Sequence, residues 1–229
     1  MGNPAELVLD NPVWHALNGP QATVAEGGGR AIRYLTDVAP FAALPDEPSA
    51  DDWAALAALV GPAGWAALFR DEVHEPGWPR QMEFPTVQMT GDDVAPDEAD
   101  GALVLGEADV PEMLALTERT QPGPFAPRTV ELGTYLGIRD ASGALVAMAG
   151  ERMRPSGFTE ISAVCTDESH RGRGLGTILV RDLVRRIRAR GDRPLLHVTV
   201  ENTNARRLYE ALGFVERRRV EVVVVQAPD

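Results

Sequence analysis

The 229 residues are 44% apolar, enough for one large or two small domains, and carry a net charge of −12. No apolar run approaches the ~18 residues that span a bilayer, and the single cysteine, Cys165, excludes an internal disulfide framework. Residues 1–150 hold 7 Arg against 23 acidic residues, whereas residues 151–229 hold 15 against 11, a balance that argues against a nucleic-acid partner.

No segment that is first basic and then apolar opens the chain, and with the unpaired thiol this predicts a soluble protein of the reducing cytoplasm, without a membrane partner. Every one of the 22 basic residues is arginine, a coding preference rather than a functional signal. The acidic first half favours a cationic acceptor, or serves as general solubilising charge.

In the first ninety-odd residues, Ala31–Leu35 reads as a strand. Ser49 with Asp52 makes a capping-box start for a helix whose face is Trp53, Leu56, Ala57 and Val60. Trp65–Phe69 and Gln81–Met89 read as further strands. Gly91–Gly101 is acidic and contains Pro and Gly, so it reads as a linker between a lobe at 1–95 and a domain at 101–229.

Beyond the linker, Asp109, Pro111 and Glu112 predict a capped helix with Val110, Met113, Leu114 and Thr117 on one face. Thr134–Arg139 and Ala144–Met153 form a hairpin about Asp140–Gly143, and Phe158–Thr166 is the next strand. Leu179, Val180, Leu183, Val184 and Ile187 recur at helical spacing, with arginines opposite, until Gly191. Leu195–Val200 reads as a buried strand. Ala205, Leu208, Tyr209 and Leu212 are the face of a short helix closed by Gly213, and Val220–Val225 ends the series. The order βαβββαβαβ predicts an α/β fold with a mixed sheet covered by helices.

Between the strand ending at Thr166 and the helix near Ile178 lie Arg171, Gly172, Arg173, Gly174, Leu175, Gly176 and Thr177. A glycine-rich turn that runs into a helix start offers backbone N–H groups and the positive dipole end to a phosphate. A Walker loop is excluded because it ends in Gly-Lys-Ser/Thr and the chain has no lysine. Nor do glycines at 172, 174 and 176 have the spacing of a dinucleotide fingerprint.

The pattern Arg171-x-x-Gly174-x-Gly176 resembles the coenzyme A pyrophosphate loop of the GNAT N-acetyltransferase superfamily. Downstream, Asn202, Ala205, Leu208, Tyr209, Gly213 and Phe214 fill the superfamily's Asn-x-x-Ala-x-x-Leu-Tyr-x-x-x-Gly-Phe signature. The resemblance covers residues from about 101 onward. A smaller α/β lobe ahead of it is similar to the two-lobed glycine N-acyltransferase-like branch, whose first lobe is a degenerate copy; an unrelated cap is the alternative.

The resemblance implies direct transfer of an acetyl group from acetyl-CoA to an amine on a small molecule or peptide, by a monomer or homodimer. It implies that the backbone of Val164, Cys165 and Thr166 pairs with the pantetheine arm, that 171–177 takes the pyrophosphate, and that Asn202 touches the cofactor. Tyr209 takes the place of the general acid. Glu160 stands eleven residues before Arg171, the offset of the strand glutamate that is the base in the histone acetyltransferase branch, with Glu151 as runner-up. A coenzyme A-binding sensor without catalysis is the alternative function. No histidine pairs with Cys165, which reads as a small buried hydrophobe. No metal site is expected, since His74-Glu75 lacks the second histidine of a zinc motif.

Overall fold

The computed structural model describes residues 4–71, 73 and 75–229; His74 lies outside the described residues. Among the described residues, eleven strands form a single sheet. The first half contributes β1 (Ala25–Gly28), β2 (Ala31–Tyr34), β3 (Phe41–Ala43), β4 (Trp65–Phe69) and β5 (Arg80–Thr90). The second half contributes β6 (Leu103–Leu105), β7 (Tyr135–Arg139), β8 (Leu145–Glu151), β9 (Phe158–Thr166), β10 (Arg193–Thr199) and β11 (Val215–Gln226). Their spatial order is β1-β2-β3-β4-β11-β5-β10-β9-β8-β7-β6. The expected mixed α/β fold is therefore observed.

The two halves interlock. β5 pairs antiparallel with β11 on one side and with β10 on the other, so a strand from the first half sits in the middle of the second. β11 in turn pairs with β4. Its valines are covered on both faces, Val220 and Val224 on one and Val223 and Val225 on the other, which explains a near-continuous apolar run where alternation is usual. Polar groups stitch the halves as well. Gln21, buried, accepts from Tyr34 Oη at 2.6 Å and donates to the Arg152 carbonyl at 2.6 Å.

Helices cover both faces of the sheet. In the first half, α1 (Pro12–Leu17) packs in one apolar cluster and α2 (Ala50–Val60) in another. α2 begins with the expected capping box, in which the Ser49 N–H donates to Asp52 Oδ2 at 2.8 Å. α3 (Val110–Thr120) covers Tyr135, Met148 and Cys165. On the opposite face, α4 (Leu175–Ala189) and α5 (Thr203–Leu212) cover Ile161, Leu196 and Val198. Leu179, Val180, Leu183, Val184 and Ile187 of α4 are wholly buried, each contributing about 1.5–3 kcal/mol of apolar burial.

Two local readings are corrected. Asp109 does not cap α3 with its side chain: a 3-10 turn over Glu107–Asp109 extends the helix backward, and the carboxylate accepts from the Gly106 N–H at 2.9 Å instead. Glu112 then pairs with Arg139 rather than completing a capping box. Residues 91–101, read as a linker, are held against α4. Val94 is buried in that core, and Arg188 Nη2 donates to the Gly91 and Asp92 carbonyls at 2.7 and 2.6 Å.

Candidate active site

β9 and β10 run parallel only from Phe158 opposite Arg193 to Ile161 opposite Leu196. Beyond that pair they part, while β9 stays paired with β8 through Thr166 opposite Ala147. A register shift between β8 and β9 coincides with Ala163, whose φ of +52° is left-handed. Such a bulge bends a strand away from its neighbour. The edge of β9 after Ile161 therefore presents backbone without a strand partner, and Ser162, Ala163 and Val164 line the cavity that opens there.

The turn after β9 leaves backbone donors open. Asp167 caps a 3-10 turn over Glu168–His170 by accepting from the Ser169 N–H at 3.1 Å, and the chain then reaches Gly172 and Gly174 at φ +77° and +73°. A Cβ at either glycine would meet open space, so the glycines are required by backbone conformation rather than by packing. Among the described residues the N–H groups of Gly172, Arg173 and Gly174 have no protein acceptor. No side chain caps α4, leaving its first-turn donors open as well. Arg171 and Arg173 are exposed beside them, and Arg171 Nε donates to the Thr166 carbonyl at 3.3 Å. Leu175, Gly176 and Thr177, half-buried, form the first turn itself. These features fit the diphosphate of coenzyme A: convergent free donors, two guanidinium groups and no opposing side chain.

The cavity measures about 550 Å³ and joins the β9 edge to β4, β5 and β11. Asn202 and Tyr209 line it from α5. Asn202 caps that helix, its Oδ1 accepting from the Ala205 N–H at 3.1 Å, so its first duty is local. Tyr209 packs edge-on against Phe214 with centroids 5.8 Å apart. Its hydroxyl makes no hydrogen bond to the described residues, and burial pushes its pKa up to about 12. A phenol facing a cavity with its proton retained and unshared is a free donor.

Cys165 is not among the residues lining the cavity. Its side chain turns under α3 into the cluster with Met113 and Met148, and burial pushes the thiol up, away from the reactive thiolate.

Glu160 is placed differently from Tyr209. It is fully buried, and its carboxylate accepts from Arg152 Nε at 2.9 Å, Arg152 Nη2 at 2.6 Å and the Met153 N–H at 3.3 Å. His197 Nδ1 lies 2.7 Å from Glu160 Oε1. Burial alone would raise this carboxyl, but the Arg152 charge and hydrogen bonds, with His197, outweigh it and hold it below the usual carboxylate range. His197 is closed on its other nitrogen too. Gln88 Nε2 lies 3.0 Å from His197 Nε2, and Gln88 is oriented by Arg217 Nη1 donating to its Oε1 at 2.8 Å and by the Leu9 carbonyl at 2.9 Å. That anchoring makes Gln88 the donor and His197 the acceptor at Nε2, so Nδ1–H faces Glu160.

Glu151, the runner-up, is buried away from the cavity with Arg190 Nη2 at 2.7 Å and the Thr134 N–H at 3.2 Å. Arg152 and His197 also line the cavity, and no local pattern marks either as a site residue; the hairpin from β8 to β9 brings Arg152, eight residues back, and the β9–β10 pairing brings His197, 37 residues on, to Glu160. The described residues contain no group of three or more metal-ligating side chains and no helix long and apolar enough to cross a membrane.

The parallel strands of the sheet thus part beside a glycine turn and an uncapped helix start, with a free phenol in the gap. Residues 135–223 match the FR47-like protein family. The chain is similar over 96% of its length to a solved protein assigned to the GNAT family of acetyltransferases from Novosphingobium aromaticivorans, with 40% identity, a TM-score of 0.87 and 99% of that chain covered. This chain belongs to the GNAT family. It is also similar to the mycothiol acetyltransferase of Thermomonospora curvata, at 34% identity over 123 residues, 53% of this chain. It spans only 40% of the length of that relative. A GNAT structure from Kribbella flavida, 21% identical and covering 95% of this chain and 96% of its own, shares the fold with a TM-score of 0.59.

Proposed function

We propose that the protein transfers an acetyl group from acetyl-CoA directly to a primary amine. The observation that carries this reading is the Tyr209 hydroxyl, unpartnered and protonated, lining one cavity with the open edge of β9. The cosubstrate supplies an acyl group activated as a thioester. On this reading the N–H groups of residues 172–177 and the guanidiniums of Arg171 and Arg173 bind its diphosphate, and the backbone of 164–166 aligns its arm. The amine nitrogen attacks the acyl carbon, the C–S bond breaks, and the Tyr209 hydroxyl gives its proton to the departing sulfur. An N–H on the β9 edge meets the negative charge that develops on the acyl oxygen.

The proton lost by the amine goes to water. Glu160 was expected to take it, but its oxygens are engaged by Arg152, Met153 and His197, which supports a positioning role in place of proton abstraction. In that role it holds Arg152 and His197 at the cavity wall. The reading is tested by titrating acetyl-CoA into the protein in a calorimeter and by following thiol release over a panel of amines. Binding without release from any amine supports a coenzyme A sensor instead; no binding removes the acetyl-transfer reading.

A further inference from the structure

The far end of the cavity identifies the kind of amine. There the wall is apolar and aromatic: Phe41 on β3, Trp65 and Phe69 on β4, Met82 and Phe84 on β5. Trp65, Met82 and Phe84 are 57%, 54% and 41% exposed, large apolar groups left uncovered at the mouth. No carboxylate lines the cavity among the described residues, although the first half of the chain is acidic. The acid groups expected to favour a cationic acceptor lie elsewhere. The one lining side chain with a fixed charge is Arg152, which gives Nε and Nη2 to Glu160 and lies 4.9 Å over the Phe41 ring. Its Nη1 has no hydrogen-bond partner among the described residues.

Two consequences follow for the acceptor. A polyamine or aminosugar would leave several ammonium groups in an apolar box whose one fixed charge is positive. And with no free carboxylate to take a proton, the amine must enter as the free base. The α-carboxyl substituent keeps the ammonium of a free amino acid below the ~10.4 of an alkylamine, so more of it is free base at neutral pH.

We propose, resting on the acetyl-transfer reading, that the acceptor is an α-amino acid with a large apolar side chain. Its carboxylate meets Arg152 Nη1, its side chain lies against Trp65 and Phe84, and its amine faces the β9 edge. The α-ammonium loses one proton to water before reaction. The nitrogen lone pair forms the C–N bond as the C–S bond breaks, the thiolate takes the Tyr209 proton, and the second amine proton leaves to water, from which Tyr209 is reprotonated.

The test is thiol release by the full chain with acetyl-CoA and L-phenylalanine, L-phenylalaninamide, spermidine or kanamycin, with acetyl-CoA affinity measured separately by calorimetry. L-Phenylalanine is expected to exceed spermidine and kanamycin at least 100-fold in kcat/KM, and its amide about 10-fold. Trp65→Ala and Phe84→Ala, both at exposed positions, should each raise the KM for L-phenylalanine about 10-fold and leave acetyl-CoA affinity unchanged. Equal or greater activity on spermidine or kanamycin overturns the proposal while acetyl transfer stands. Equal activity on the amide overturns the Arg152 contact. Tight acetyl-CoA binding with no release from L-phenylalanine overturns the acceptor class alone, whereas absent binding overturns the acetyl-transfer reading with it.

Discussion

Two groups of polar residues, one in the turn after β9 and one at the cavity wall, differ in one respect. In the turn at 171–177 the hydrogen-bonding groups are open, with backbone donors and two guanidiniums facing solvent. In the Arg152–Glu160–His197 cluster nearly every group is closed, by each other, by Gln88 and by the Met153 N–H. Closed networks hold shape, because a buried charge left unpaired costs far more than its pairing contributes. Open donors bind, because their hydrogen bonds in the free protein are only to water. Tyr209 belongs with the first group: buried like Glu160, but unpartnered.

The most severe test of that contrast removes what closes the cluster. A truncate beginning at Gly101 lacks Gln88 and the whole of β5, so β11 and β10 lose the strand between them. It is expected to be insoluble or to lack a cooperative thermal transition. A soluble truncate that still binds acetyl-CoA would show that 101–229 folds alone.

Next comes Tyr209→Phe, which removes an open group. It should lower kcat by roughly 10²–10⁴-fold, the usual share of a positioned proton donor, with Tm and acetyl-CoA affinity nearly unchanged. Full turnover would make Tyr209 a packing residue.

Glu160→Gln removes a closed group and should do the reverse. It strands Arg152 and is expected to cost about 3–5 kcal/mol in denaturant-measured stability. The pH dependence sharpens this. With its folded pKa depressed, Glu160 contributes stability above the ordinary carboxylate range, near ~4.3, and loses it as pH falls toward the lower folded value. The Gln variant should therefore lack part of the wild-type acid destabilisation. Unchanged stability with lost activity across pH 6–9 would instead return Glu160 to the role of base.

Gly174→Val should act between the two. A side chain at φ +73° costs roughly 1–3 kcal/mol of strain, and its bulk holds an anion off the amides. Each charge-assisted bond lost is worth ~1.5–3 kcal/mol, so acetyl-CoA affinity by calorimetry should fall at least tenfold. The smallest effect belongs to Ser49→Ala, remote from both groups. Loss of the Ser49 Oγ bond to Asp52 Oδ2, 2.6 Å long at the start of α2, should cost about 1 kcal/mol and leave kinetics untouched.

Much of this protein was legible in local patterns. The span of β9, the face of α4, the capping box at Ser49 and the turn at 171–177 depend on residues near one another in the chain, so periodicity and glycine spacing report them directly. The helix start at Asp109 is not legible locally, because the short 3-10 turn ahead of it has no strong sequence signature. β1, β3 and β6 are only 4, 3 and 3 residues long, too short for any period to register.

What only the tertiary structure decided is the state of each side chain. Local sequence places Glu160 and Tyr209 on a strand and a helix with equal clarity, and a glutamate on a cleft strand reads as a base. Whether its lone pairs are free depends on Arg152, eight residues back across a hairpin, and on His197, 37 residues on across a parallel pair. The linker at 91–101 is the same case: its composition is that of a loop, but Arg188 and the core around Val94 bind it to α4. Backbone conformation is a near-neighbour property and is written locally. The satisfaction of a buried polar group is a property of everything packed around it, and that is settled only when distant strands meet.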